Sequence, residues 1–223
     1  ALMAALNAIM TVIAWRLPAA PSAGQEHDRS RLTIEWRVLV VSFTLFLYAF
    51  GYGAITSFAA MYAEANGLAP RAIYLSVLAV TIITTRPFLG PLADRAGYVR
   101  VFIPCLGLIA VGLALLAVGG SRPWQVASAV IFGTGFGTAY PVYAAYLLQR
   151  IDARRRGASF GALIAAFDTG IGSGSLVTGL VIQYAGFRAA FGLGAGIATL
   201  AIPYFLATRH LLPPAHVAPS PIE

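Results

Sequence analysis

The polarity of the chain is laid out in blocks. Long apolar stretches with almost no charge alternate with short polar or turn-rich ones. Six apolar runs are long enough to cross a bilayer core, which takes about 20 helical residues. They are 38–63, 72–92, 101–119, 125–148, 158–183 and 189–208. Between them lie Asn66-Gly67-Leu68-Ala69-Pro70, Asp94 to Arg100, Gly119-Gly120-Ser121-Arg122-Pro123, Asp152 to Arg156 and Gly186-Phe187-Arg188. Lipid offers no partner for an open backbone N–H or C=O, and a barrel strand would alternate in polarity, so each run predicts a helix. The fold class is therefore all-α, with a six-helix transmembrane bundle over 38–210. Residues 1–15 form a shorter apolar run. At 1.5 Å per residue it covers roughly 22 Å, too little for a core about 30 Å thick. It reads as the remnant of a preceding transmembrane helix, and the chain as a fragment. Residues 16–37 mix Pro18, Pro21, Gly24, Gln25, His27 and Ser30 with both signs of charge, which predicts a cytoplasmic linker; 211–223 read as a cytoplasmic tail.

Composition makes the bilayer the expected solvent and partner. Hydrophobic residues are 59% and charged ones 10%, with a mean hydropathy of +0.78; soluble domains carry about 25% charged residues. The net charge of +7 raises nucleic acid as a partner, but its distribution argues against that. All 15 basic residues are arginine, and they sort by side. Arg16, Arg29, Arg31, Arg37, Arg95, Arg100, Arg150, Arg154, Arg155, Arg156 and Arg209 fall on one side, against Arg71, Arg122 and Arg188 on the other. Arg86 lies within a span. The arginine-rich side is expected to be cytoplasmic. That predicts a multi-pass protein of the cell (inner) membrane, with both ends of the six-helix bundle inside. The single cysteine, Cys105, permits no intrachain disulfide.

The stretch Gly-Pro-Leu-Ala-Asp-Arg-Ala-Gly-Tyr-Val-Arg at 90–100 carries Gly90, Asp94, Arg95, Gly97 and Arg100 in the pattern G-x-x-x-D-[RK]-x-G-x-x-[RK]. It resembles the inter-helix signature of the major facilitator superfamily of secondary transporters. The segment Phe167-Asp168-Thr169-Gly170-Ile171-Gly172, with Arg156-Gly157 ahead of it, is similar to efflux-type members. The resemblance implies the C-terminal half of a twelve-helix bundle, built as two inverted three-helix repeats, with the N-terminal six-helix half absent. An echo between Ala96-Gly97-Tyr98 and Ala185-Gly186-Phe187 fits such repeats. It also implies that Gly90, Asp94, Arg95, Gly97 and Arg100, with Arg86, form a conformational latch. Tyr98 and Val99 depart from the pattern, since the family usually has basic residues there, which implies a weaker latch.

Several side chains carry candidate chemistry. Asp94 stands where it can accept from the amides of the span starting near Gly157 and answer that helix dipole. Arg95 and Arg100 can pair with nearby acids; a plain positive-inside loop is the competing reading. Asp168 lies about ten residues into its span, roughly 15 Å deep. An ionisable group at that depth is costly unless paired, solvated or protonated. It is the candidate proton carrier, against a structural carboxylate held by backbone donors. Tyr48, Tyr52, Tyr140 and Tyr143 lie on helices that line the central cavity in the superfamily. They are candidates for contact with a small-molecule substrate, against plain packing. The pairs Gly133/Gly137, Gly157/Gly161, Gly170/Gly174 and Gly192/Gly196 have the spacing of close helix contacts.

The expected function is secondary active transport of a small molecule by alternating access, as proton-coupled efflux. The alternative is a non-transporting membrane scaffold or receptor with the same fold. No enzyme is expected. His27, His210 and His216 all lie outside the spans, no H-E-x-x-H or G-x-S-x-G occurs, and mid-membrane acids number one. No cofactor or metal is expected, and the proton is the expected coupling ion.

Overall fold

The computed structural model describes residues 36–151 and 155–213. Among them every regular element is helical: α1 Trp36–Ala65, α2 Ile73–Ala96, α3 Tyr98–Val118, α4 Arg122–Leu148 and α5 Arg156–Thr208, then a 3-10 turn at Arg209–Leu211. The expected remnant at 1–15, most of the linker at 16–37 and the end of the tail lie outside the described residues. Trp36 and Arg37, assigned to the linker from sequence, open α1 instead.

The two runs expected at 158–183 and 189–208 meet without a loop. Gly186, at φ 80 and ψ 174, breaks α5 into arms 156–185 and 187–208. The hinge at 94–100 is likewise shorter than expected. α2 continues through Ala96, Gly97 turns the chain alone at φ 94, and α3 starts at Tyr98. A side chain at such a φ is strained, so glycine makes a one-residue reversal possible at both places. The Ala-Gly-aromatic echo in sequence is thus an echo in backbone geometry. Pro87, Pro91, Pro104, Pro141 and Pro203 sit inside helices, which membrane helices tolerate when neighbours satisfy the freed carbonyls.

Among the described residues four helices are long and apolar enough to cross a membrane: α1, α2, α3 and α5. α4, at 27 residues, matches them in length only. Each arm of α5 exceeds the about 20 residues that one crossing needs.

α1 is central. Its candidate span is 72% buried, against 18% for α2. It packs against both arms of α5. On the first arm the approach is backbone to backbone: a Cβ at Gly174 would collide with the Phe50 carbonyl, one at Gly53 with the Ile171 carbonyl, and one at Gly170 would lie 2.6 Å from the Phe46 oxygen. Ser175 donates to the Gly53 carbonyl at 3.0 Å across the same seam. On the second arm the Tyr204 hydroxyl donates to the Val40 carbonyl at 2.8 Å. α4 leans on α3 and α2, where a Cβ at Gly137 would lie 3.1 Å from the Ile82 Cα. Tyr74 of α2 meets Ser128 of α4 at 3.0 Å, and Ser128 donates to Gly112 of α3 at 2.6 Å. Of the glycine pairs expected from spacing, Gly170/Gly174 and Gly133/Gly137 make close contacts, whereas Gly157, Gly161 and Gly196 face open space.

These contacts gather the helix ends into two sets. Tyr62 donates to the Gly119 carbonyl and packs on Phe187, bringing the ends near 65, 119 and 186 together. At the other end, Gln149 reaches Tyr98, and Phe205 packs on Phe102 and Tyr146. Successive segments therefore run antiparallel, and the described arginines divide by end as their sequence positions require.

Candidate functional site

At the arginine-rich end, α2, α3 and α4 converge on the Gly97 hinge. Asp94 lies in the last turn of α2 and Tyr98 in the first turn of α3. The Tyr98 hydroxyl donates to Asp94 Oδ1 at 2.6 Å and accepts from Gln149 Nε2 at 3.0 Å. A carboxylate, a phenol and a carboxamide thus tie three helix ends together. The partner expected for Asp94 is the start of α5; among the described residues its side-chain bond is instead to Tyr98, one turn away, and the N-cap Arg155 makes no side-chain cap bond. Arg95 and Arg100, expected to pair with acids, make no ion pair among the described residues; Glu64 and Arg71, at the opposite end, do at 2.8 Å. Beside the hinge is a cavity of about 350 Å³ lined by Gly97, Tyr98, Arg100, Tyr146 and Arg150. There the Arg150 guanidinium lies 3.9 Å above the Tyr146 ring.

Arg86, grouped with the hinge from sequence, stands more than two turns before Asp94 on α2. Its Nε donates to the Gly137 carbonyl of α4 at 3.3 Å. It lines a cavity of about 580 Å³ with Thr138, Tyr140, Pro141 and Phe160. It does not join the Asp94–Tyr98–Gln149 group.

The four tyrosines separate into two kinds. Tyr48 and Tyr143 are wholly buried, with their rings against Phe102. Neither hydroxyl has a hydrogen-bond partner among the described residues. Neither ring lines the hinge cavity or the Arg86 cavity. Tyr52 and Tyr140 are half-buried. Tyr140 borders the Arg86 cavity, and Tyr52 borders one of about 320 Å³ with Thr56, Leu75 and Leu78. Tyr48 and Tyr52 share a helix face as expected, but the 40° between i and i+4 positions turns one inward and the other to the cavity. Phe136 links them: Tyr52 stacks on it at 4.1 Å and Tyr48 meets it edge-on at 5.9 Å.

Asp168 is exposed on the first arm of α5, with no hydrogen-bond or ion-pair partner among the described residues. Its neighbour Phe167 packs on Tyr140 at 5.0 Å, and the Asp168 charge is within electrostatic reach of the Tyr140 phenol. Sequence reading passed over Gln149, Thr138 and Phe160. None lies in a motif, and only helix packing brings them to these places.

The family model described as Major Facilitator Superfamily matches residues 1–162 and, in a second overlapping match, 41–223. The chain belongs to the major facilitator superfamily. An uncharacterized MFS-type transporter of Pseudomonas aeruginosa is 31% identical over 188 residues, covering 83% of this chain and 46% of the relative. The MFS-type transporter YhhS of Escherichia coli is 26% identical over 184 residues, covering 81% and 44%. The chain thus spans less than half the length of these curated relatives. Among solved structures, an auto-inhibited peptide transporter of the POT family superposes with a TM-score of 0.69 at 18% identity, over 85% of this chain and 39% of that one. A POT peptide transporter mutant in complex with sulfate gives 0.66 at 24%, over 78% and 38%. At such identity the likeness is one of fold. Within the superfamily pattern, the departure at Tyr98 has a physical consequence: a phenol bonds the aspartate where a basic side chain is usual.

Proposed function

We propose that this chain forms one six-helix half of a secondary active transporter of the cell membrane, with its arginine-rich end cytoplasmic. It moves a small molecule by alternating access, as proton-coupled efflux, and its two three-helix units are inverted repeats. Membership of the superfamily carries this reading. The placement in sequence of eleven of fifteen arginines on one side of the spans supports the orientation. The positive-φ breaks at Gly97 and Gly186, at opposite ends, support the repeats. In this reading Gly90, Asp94, Arg95, Gly97 and Arg100 act with Tyr98 and Gln149 as the latch of one access state. Tyr52 and Tyr140 contact substrate. Asp168 holds and releases the proton; its place on an apolar arm, with no partner among the described residues, supports that role, since an unpaired acid within a span is costly and marks a functional position.

The test is transport by the full-length protein in proteoliposomes under an imposed pH gradient. Asp168→Asn is expected to lower gradient-driven flux on the order of tenfold or more, with normal membrane insertion. Undiminished flux removes Asp168 from coupling.

A further inference from the structure

The cavity of about 580 Å³ between α2, α4 and the first arm of α5 falls within the range of small-molecule sites, roughly 300–1,000 Å³. Its walls are apolar or aromatic: Tyr140, Pro141, Ala144 and Phe160. Two polar groups stand out against them. Arg86 is held by one bond, Nε to the Gly137 carbonyl at 3.3 Å. Its two terminal amino groups have no partner among the described residues, so an oriented fork is left to offer. The next residue, Thr138, is 1% exposed, and its hydroxyl has no hydrogen-bond partner.

That orphan hydroxyl is informative by contrast. Thr81, Thr84, Thr85, Thr134 and Thr169 each donate to the carbonyl one turn back, the usual refuge of a helical threonine. Thr138 does not, and neither do the buried Thr44 and Thr178, but of these three it is Thr138 that borders the Arg86 cavity. A buried hydroxyl without a partner is destabilising, and this one stands beside a cavity where a ligand acceptor would satisfy it. Among the described residues no carboxylate lines the cavity.

We propose that this cavity binds an organic anion, its carboxylate or similar oxyanion on the Arg86 fork and the Thr138 hydroxyl, its apolar body against Tyr140, Pro141 and Phe160. The chemistry follows from the donors. Guanidinium and hydroxyl both point to an acceptor, the fork matches a two-oxygen anion, and the rings suit a flat or aliphatic body. The inference rests on the transporter reading and names the substrate class of its cavity.

Binding to the full-length protein in lipid nanodiscs, measured by calorimetry, tests it. The probes are 2-naphthoate, the neutral 2-naphthylmethanol, the cationic 2-naphthylmethylammonium, and octanoate as an aliphatic acid. 2-Naphthoate is expected to bind about tenfold or more tighter than the neutral and cationic probes, as one charge-assisted contact implies. Arg86→Gln is expected to abolish that preference. Thr138→Val is expected to weaken naphthoate severalfold without lowering thermal stability in the absence of probe, because the hydroxyl has no bond to lose. Should Arg86→Gln fail to insert, Arg86→Lys and Thr138→Val carry the test, both with weakened naphthoate binding. Equal affinity for the three naphthyl probes, no binding of either acid, or unaltered naphthoate binding in the variants overturns the proposal. Gradient-driven flux that persists alongside such a result leaves the transporter reading standing, whereas anion binding without any flux sinks that reading and keeps the site.

Discussion

At the scale of single residues, Tyr98 shows how a departure from pattern is absorbed. Asp94 is legible in the sequence because its spacing from Gly90 and Gly97 is fixed within one short stretch. Its partners are not. Tyr98 reads as a loss, a basic residue missing, and Gln149 lies 51 residues away from it. Only the folded bundle shows the phenol donating to Asp94 and accepting from Gln149. Tyr98→Phe removes both bonds while keeping the ring. It is expected to destabilise the bundle by about 1 kcal/mol, read by SDS-titrated unfolding of the full-length protein. An unchanged unfolding curve would mean that the three helix ends are not tied there. Tyr48 and Tyr143 teach the converse: tyrosines on cavity-lining helices are equally good core residues, and polarity patterns do not separate the two when the surroundings are apolar on every side.

At the scale of elements, the runs of apolar residues located each α-helix among the described residues, because lipid forces an uninterrupted apolar stretch into one conformation. What those runs could not locate is where a loop shrinks to a single residue. Gly97 and Gly186 replace expected loops, since a positive φ needs one glycine and no spacer. Glycine spacing was half legible. Gly170 and Gly174 meet the α1 backbone, whereas Gly157 and Gly161, spaced identically, meet nothing within 4 Å. The spacing puts two small residues on one face but does not say what that face meets. Gly174→Ala is therefore expected to push α1 from α5 and cost about 1–3 kcal/mol. Gly172→Ala, with open space around it, should gain up to about 1 kcal/mol from helix propensity. Thermal unfolding in detergent separates the two, and equal losses would contradict the crossing.

At the scale of the whole molecule, the division of arginines and the alternation of helix direction are one fact seen twice. Antiparallel segments bring Arg95, Arg100, Arg150 and Arg209 to one end and leave Arg71, Arg122 and Arg188 at the other. The proposed transport by rocking requires those ends to face different compartments. Cys105, the single cysteine of this chain, is 3% exposed and sits mid-helix, so it adds little background to an introduced surface cysteine. Arg188→Cys and Arg100→Cys, placed one at a time in the full-length protein and treated in intact cells with a membrane-impermeant maleimide, give the most direct measurement. Position 188 is expected to label in intact cells and position 100 only after the membrane is opened; labelling of both from the same side would contradict a bundle that crosses the membrane between them.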